Sequence, residues 1–527
     1  MFWLWDEMSF DKFHENGSRI YRIVNGKPGN EDAWVGTAAQ LAPELKEIYP
    51  EIERFVRIDQ KESVVQYQDK IQNETRILLA DSNFFTLFTY ELATGSGENV
   101  LDDLNAIVLT EQSAERYFGD EDPINKIILL NDVAYTVTGV AKNLPPNSYH
   151  QFDFVIRFEN IDENVFGSNY MECWGCQNFE SYIFLTENAE PGYLESKIRE
   201  FFIDDGEYKR EFNNLTLQPF ENIHFEYIRG NVQPEFPAKY IFLYASLAVI
   251  VLVLAIINNI NLTIAIAPIR SKEVGLKKIM GAGRNGLIFH FIFEAFFFTL
   301  ISFFVALALA SLAMPLLNNL TGRTVMIHYQ DPVLLIFFAA LILLISITSG
   351  IYPAIVLSKF SPINVVKGVF SGHKKATFRN ILVTIQFVIS ISFIIGTIVF
   401  SKQIGYIRNK NLGYNKEQVL NVRLFLNEIK SREEINAYLS KIDVLKNELG
   451  NLSDVLISSN NSFNPSNMNR NHGITWEGQE EGEHLSMFIV SGDKNMIPML
   501  EFEMLEGDDK VKNFERNGKD AYIINKS

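Results

Sequence analysis

Tyr240-Ile-Phe-Leu-Tyr-Ala-Ser-Leu-Ala-Val-Ile-Val-Leu-Val-Leu-Ala-Ile-Ile-Asn-Asn-Ile-Asn-Leu-Thr-Ile264 runs through Ala265-Ile-Ala-Pro-Ile269 into Arg270-Ser-Lys-Glu-Val-Gly-Leu-Lys-Lys-Ile-Met-Gly-Ala-Gly-Arg284. No charge falls between Ile241 and Ile269. Such a run crosses a hydrocarbon core of about 30 Å, which takes roughly 20 helical residues. A single apolar run would equally suit a buried helix in a soluble core. Four of them, at about 241–267, 287–313, 333–357 and 381–400, do not. The chain reads as a membrane protein with an α-helical transmembrane bundle.

The averages conceal this. A net charge of −17 and a mean hydropathy of +0.02 would suit a soluble acidic protein. Residues 6–239 carry about twice as many acidic as basic side chains, the apolar runs lie between 240 and 400, and 401–527 is polar again. An acidic total speaks against nucleic acid as a partner, because phosphates need a basic face. The short loops set the orientation. Arg270, Lys272, Lys277, Lys278 and Arg284 stand against Glu273 alone in the first. Lys359, Lys367, Lys374, Lys375 and Arg379 stand unopposed in the second. Both loops belong in the cytoplasm by the positive-inside rule. Residues 6–239, 314–332 and 401–527 are then expected outside.

The outer segment 6–239 reads as an α+β domain. A short helix over Asp11–Gly17 leads to a strand at Arg19–Val24, and a helix over Ala38–Tyr49 stops at Pro50. Ala106-Ile-Val-Leu109 reads as a buried strand, followed by a helix over Glu111–Phe118 that Gly119 ends. Ile127–Leu130 and Tyr135–Val140 flank Asn131-Asp132 as a hairpin. The tail repeats part of this domain. Asp81–Gly95 aligns without a gap on Asp493–Gly507, with Asp81/Asp493, Asn83/Asn495, Glu91/Glu503 and Gly95/Gly507 identical. In that register Ala106–Leu109 corresponds to Ala521–Ile524. A second outer domain over 401–527 is then incomplete. Met1-Phe-Trp-Leu-Trp5 reads as the outer end of a truncated first membrane helix, so the chain is expected to be a fragment at both ends.

Few residues suggest chemistry. Cys173-Trp-Gly-Cys176 is too small for a structural zinc site and lacks a thioredoxin-like surround. It reads as a possible local disulfide or as two unpaired thiols, and no metal site is expected. Glu294 lies inside a span one turn after His290, and an ionisable group there needs a partner. Asn258 and Asn261, on one face of the preceding span, are the expected partners. His14, His150 and His224 read as ordinary surface or core histidines. No catalytic constellation is recognisable, and none is expected.

Several stretches together resemble the FtsX/MacB-type ABC transporter permeases. Asn261-Leu-Thr followed by Lys272-Glu-Val-Gly-Leu-Lys-Lys-Ile-Met-Gly-Ala-Gly-Arg284 is similar to their cytoplasmic coupling segment. Ile351–Pro362 is similar to the end of the third complete span, and Phe378–Phe387 to the opening of the second half. Ile107-Val-Leu-Thr110, Tyr117-Phe-Gly119 and Val137-Thr-Gly-Val140 are similar to a MacB-like periplasmic core domain. The stretch 265–269 departs from the pattern, and Pro268 is expected to kink or end the helix there.

The resemblance implies a multi-pass inner-membrane permease with domains 6–239 (MacB-like) and 240–380 (FtsX-like), a coupling loop at 268–286, and a helix at 381–400 opening a second half. It implies no cofactor on this chain. ATP would be used by a separate cytoplasmic ABC ATPase, because no G-x-x-x-x-G-K-[ST] loop is present. Further implied partners are the bilayer, a second permease copy or homologue, and a periplasmic adaptor or substrate. Coupling is implied for Lys272, Glu273, Val274, Gly275, Leu276, Lys277, Lys278, Gly281, Ala282 and Arg284. Val274, Ile279 and Leu287 would seat in a groove of the ATPase inside a basic rim. Taken alone, the same residues equally suit an anchor at anionic headgroups. A receptor or scaffold without ATP coupling is the alternative function.

Overall fold

The computed structural model describes residues 2–28, 30, 33–96, 99–161, 164–165, 168–169, 171–204, 214–226, 228–231, 238–321, 331–358, 373–411, 413–415, 417–422, 432–462, 471–474, 485–488, 490–493 and 495–502. The described chain begins with α1 (Phe2–Met8), and the outer domain follows it with β1 (Ile20–Asn25) and α2 (Leu41–Ile48). Next come β2 (Ile52–Tyr67), β3 (Lys70–Ala80), α3 (Phe84–Leu87), β4 (Leu92–Thr94), β5 (Ala106–Thr110) and α4 (Glu111–Phe118). The hairpin β6 (Ile127–Leu130) and β7 (Val133–Ala141) precedes β8 (Phe154–Arg157) and the short pair β9 (Asn164–Val165) and β10 (Ser168–Asn169). The domain closes with β11 (Glu180–Leu185), α5 (Pro191–Asp204) and β12 (Leu215–Pro219).

The main sheet runs β12-β1-β11-β2-β3-β8-β5-β7-β4, and β6 bridges β2 and β7. That bridge closes β2-β3-β8-β5-β7-β6 into a ring. Long β2 makes it possible, because on its edge away from β3 it pairs with β11 over Ile52–Ile58 and with β6 at Val65 and Gln66. A register shift between Lys61 and Ser63 separates the two halves, where a bulge lets a strand bend and change partner. Every strand of the ring turns alternate residues to one shared cluster: Val65, Ile77, Leu79, Ile107, Leu109, Ile128, Leu130, Tyr135, Val137, Phe154 and Ile156. Leu78, Ala80, Ala106, Val108 and Val155 point the other way, to Phe84, Phe88 and Phe152. Strands buried on both faces appear as continuous apolar runs, which is why Ala106–Leu109 was readable.

Local signals behave as expected. Asn131 and Asp132 take φ of 45° and 66°, the left-handed pair of a two-residue hairpin, and Leu130 faces Val133. The Asn131 side chain accepts the Val64 N–H at 2.9 Å, tying the hairpin to β2. Thr110 caps α4 by accepting the Ser113 N–H, and Gly119 ends it at φ +62°. Two readings differ. Asp11–Gly17 forms turns instead of a helix, since Asp11 sits at φ +56°, and α2 begins only at Leu41. Cys173 and Cys176 are joined as a disulfide.

The membrane helices are α6 (Ala238–Ile279), α7 (Arg284–Thr321), α8 (Pro332–Ser358) and α9 (His373–Asn409). Each contains a segment long and apolar enough to cross a membrane. Their apolar side chains lie open, as a lipid-facing surface requires: Phe242, Leu312 and Leu320 are each at least three-quarters exposed. The expected loop at 268–286 is not a loop, and Pro268 does not end the helix. α6 has 42 residues and continues to Ile279, a length of about 63 Å at 1.5 Å per residue. Only Met280–Gly283 separates it from α7. Lys374, Lys375 and Arg379 likewise belong to the first turns of α9, whereas Lys359 and Lys367 lie outside the described residues. Helix α8 packs closely on α7 at Gly350, where a Cβ would lie 3.0 Å from the Ile292 Cα, with Ser346 and Ser349 buried beside it.

The tail contains α10 (Arg432–Gly450), β13 (Asn471–Ile474), β14 (Leu485–Phe488) and α11 (Met496–Leu500). The two aligned stretches make the same turn. Phe84 N–H bonds Asp81 O at 3.0 Å and Leu87 N–H bonds Asn83 O at 2.9 Å; Met496 to Asp493 and Met499 to Asn495 give 3.1 and 2.9 Å. Asp81 also accepts the Arg57 backbone N–H and guanidinium, as Asp493 accepts the Asn460 N–H and the Lys446 ammonium. Glu503–Gly507 and Ala521–Ile524 lie outside the described residues.

Candidate functional site: the α6–α7 hairpin

The residues for which the resemblance implies coupling occupy the end of α6 and the start of α7. Gly281 stands at φ +96° just past the helix. Its N–H bonds Lys278 O at 3.0 Å, and the Ala282 N–H reaches back to Lys277 O at 2.9 Å. This pair of bonds is a Schellman cap, which needs a residue tolerant of positive φ at the Gly281 position. Val274, Leu287 and Phe291 form a buried cluster that locks the two helices together, and Gly275 is buried beside it. Val274 and Leu287, expected to seat in a partner, are therefore spent inside the chain: they are 2% and 3% exposed. Leu276, Ile279 and Met280 are open instead, at 59%, 64% and 74%. Gly281, Ala282 and Arg284 are exposed around this apolar tip, and the Lys272 side chain lies outside the described residues.

Charged groups brace the hairpin. Lys277 pairs with Glu273 one turn earlier at 2.7 Å and donates across to His290 Nε2 at 3.2 Å. The Lys277 ammonium holds the Glu273 carboxyl below its ordinary range. Glu294 is not partnered by Asn258 or Asn261. Arg270 takes it in a bidentate pair, Nη1 to Oε2 at 2.8 Å and Nη2 to Oε1 at 2.5 Å. The cause is the unbroken helix. Val274 against Phe291 and Arg270 against Glu294 set the antiparallel register, which leaves Asn261 about 13 Å further along α6 than Arg270. Asn258 is exposed, and both polar atoms of the Asn261 amide are buried without a hydrogen-bond partner among the described residues.

Of the two placements the sequence left open for the histidines of the outer domain, surface or core, the structure has the core for His14, His150 and His224. His14 and His150 lie in one aromatic cluster with Phe88, Tyr90 and Phe220, and burial pushes both down to about 3. Asp11, which accepts the Tyr149 N–H, is pushed up to about 7 by its burial. His224 is buried against Glu7 of α1. No short motif marks that contact, because its partners are 217 residues apart.

Residues 1–199 match the MacB-like periplasmic core domain, and residues 245–362 match the FtsX-like permease C-terminal domain. The macrolide export ATP-binding/permease protein MacB of Haemophilus ducreyi is 24% identical over 364 residues, covering 67% of this chain and 49% of that protein. The ABC transporter permease YknZ of Bacillus subtilis is 21% identical over 260 residues, covering 49% of this chain and 61% of YknZ. The chain spans about half the length of the MacB relatives it matches. Among solved structures, the periplasmic region of MacB from Actinobacillus actinomycetemcomitans aligns with a TM-score of 0.31 at 14% identity, covering 39% of this chain and 91% of that one. With a MacB-like domain outside and an FtsX-like domain in its membrane helices, the chain belongs to the FtsX/MacB-type ABC transporter permeases.

Proposed function

We propose that this chain is the permease subunit through which a separate cytoplasmic ATPase moves domains on the outer side of the inner membrane. One observation carries the reading: α6 is a single helix from the base of the outer domain to the apolar tip of the hairpin. The helix is continuous over that length, so displacement of one end reaches the other. The tip supplies a docking surface, with Leu276, Ile279 and Met280 open inside a rim that includes Lys278 and Arg284. Exposed apolar anchors in a charged rim are the usual make-up of a helix-in-groove contact. ATP binding and hydrolysis belong to the partner. The bilayer and a second permease copy complete the assembly, and the outer domain meets the substrate or an adaptor.

The test is the double substitution Leu276→Asp/Ile279→Asp. Both side chains point into solvent, so folding and membrane insertion should be retained. Co-purification of the ATP-binding subunit, and stimulation of its ATPase activity by the permease, should be lost. Retention of both would leave the tip a membrane anchor and favour a scaffold without ATP coupling.

A further inference from the structure

The chain passes between α1 and the outer domain through residues 9–19, and between that domain and α6 through residues 220–238. The two passages meet at one buried pair. Glu7, in the last turn of α1, contacts His224 Nε2 through Oε2 at 2.5 Å, and the two side chains are 0% and 2% exposed. Phe10 stacks flat on the imidazole, with ring centres 3.7 Å apart and planes 3° off parallel. One turn before Glu7, Trp3 meets Tyr244 of α6 edge-on at 4.9 Å.

Backbone bonds join both passages to the domain. The Asp11 N–H bonds Asn147 O at 2.9 Å, and the Asn147 amide donates to Ser9 O at 3.1 Å. On the other side the Phe225 carbonyl accepts the N–H of Ala238, the first residue of α6, at 3.3 Å. Phe220 and Ile223, beside His224, belong to the same core cluster as Phe84, Phe88 and Phe152.

A buried carboxylate–imidazole pair stabilises a junction no better than an apolar contact of equal volume, because both groups must be desolvated. It does confine the junction to one geometry, since either group left unpaired is costly. We propose that Glu7 and His224 are the positioning residues of a rigid joint that binds α1, the base of the outer domain and α6 into one moving unit. The joint would carry displacement of α6 into the domain, and in that respect it rests on the mechanical role proposed above.

The experiment uses the full chain in lipid nanodiscs with nitroxide labels at Asp69 on the outer domain and Val249 on α6. Both positions are exposed, and the Cys173–Cys176 disulfide is left intact. Wild-type protein should give one narrow distance peak. Glu7→Ala and His224→Ala should lose it to a broad distribution, Glu7→Gln should broaden it less, and the exchange Glu7→His/His224→Glu should restore it. Should an alanine variant fail to fold, Glu7→Gln and the exchange decide alone. A wild-type peak width in every folded variant, or no recovery in the exchange, overturns the joint. Adding the ATPase and ATP to wild type reads the mechanical role separately. With a single label at Asp69 in each of two permease copies, a distance between the copies that ignores nucleotide would overturn that role instead.

Discussion

Glu294 shows how far a single residue can be read. That it needs a partner follows from its place inside an apolar run; which partner it takes depends on where α6 ends, and Pro268 pointed to the wrong place. The cap at Gly281-Ala282 and the turn at Asn131-Asp132 were legible because local backbone sterics decide them. With Arg270 and Glu294 each about a third exposed, a double-mutant cycle with Arg270→Ala and Glu294→Ala should give a coupling of about 1 kcal/mol in thermal unfolding. A coupling near zero would remove the pair as a brace of the hairpin. The buried histidines make a second prediction. His14 and His150 fall from 6.5 to about 3 on folding, so the unfolded chain takes up protons first as pH drops below 6.5. Each costs up to about 1.4 kcal/mol of stability per pH unit until pH nears 3. Asp11 acts oppositely: raised from 3.8 to about 7, it favours the folded state at low pH and loses that contribution as pH rises through 7. Among these three groups acid loss therefore dominates below 6.5 and steepens below 3.8. Denaturant titrations of His150→Phe should show a shallower acid limb than wild type, and an unchanged limb would contradict the assignment.

Among the elements, helices and strands were recoverable from periodicity, while their partners were not. Ala106–Leu109 announces a strand buried on both faces, yet nothing in β2 announces that one edge serves both β11 and β6. That choice rests on a bulge near Lys61 and on contacts across the whole domain. The hairpin α6–α7 carries the same lesson. An amphipathic segment shows that one face will be covered, but not whether its own chain or a partner covers it. Val274 faces inward and Ile279 outward, so equal substitutions should separate two effects. Val274→Asp buries a carboxylate against Leu287 and Phe291 and should lower thermal stability by about 2–4 kcal/mol. Ile279→Asp, on an open position, should leave melting within about 0.5 kcal/mol of wild type while weakening ATPase docking. Equal melting of the two variants in detergent would mean that Val274 is not the lock between the helices.

For the whole molecule, the segregation of acidic outer segments, apolar spans and basic loops was enough to reveal a membrane protein and to suggest its orientation, while the permease reading came from the motifs that resemble a known family. The joint at Glu7 and His224 was invisible, because it links residues on either side of the entire outer domain. The mechanical reading needs the outer domain and the hairpin tip on opposite faces of the membrane, with α6 between them. Single cysteines at Asn30 and Asn451 should accept an impermeant thiol reagent in intact spheroplasts, and one at Gly283 only after lysis. The most direct measurement combines side and partner. A photo-crosslinking benzoylphenylalanine is placed at Met280, on the exposed tip, or at Asn30 in the outer domain, and cells are irradiated before lysis. Met280 should form a covalent adduct with a subunit that carries a G-x-x-x-x-G-K-[ST] phosphate loop, and Asn30 should form none with it. An ATP-binding subunit crosslinked to Asn30, or none crosslinked to Met280 in an active complex, would contradict force transmission through this hairpin.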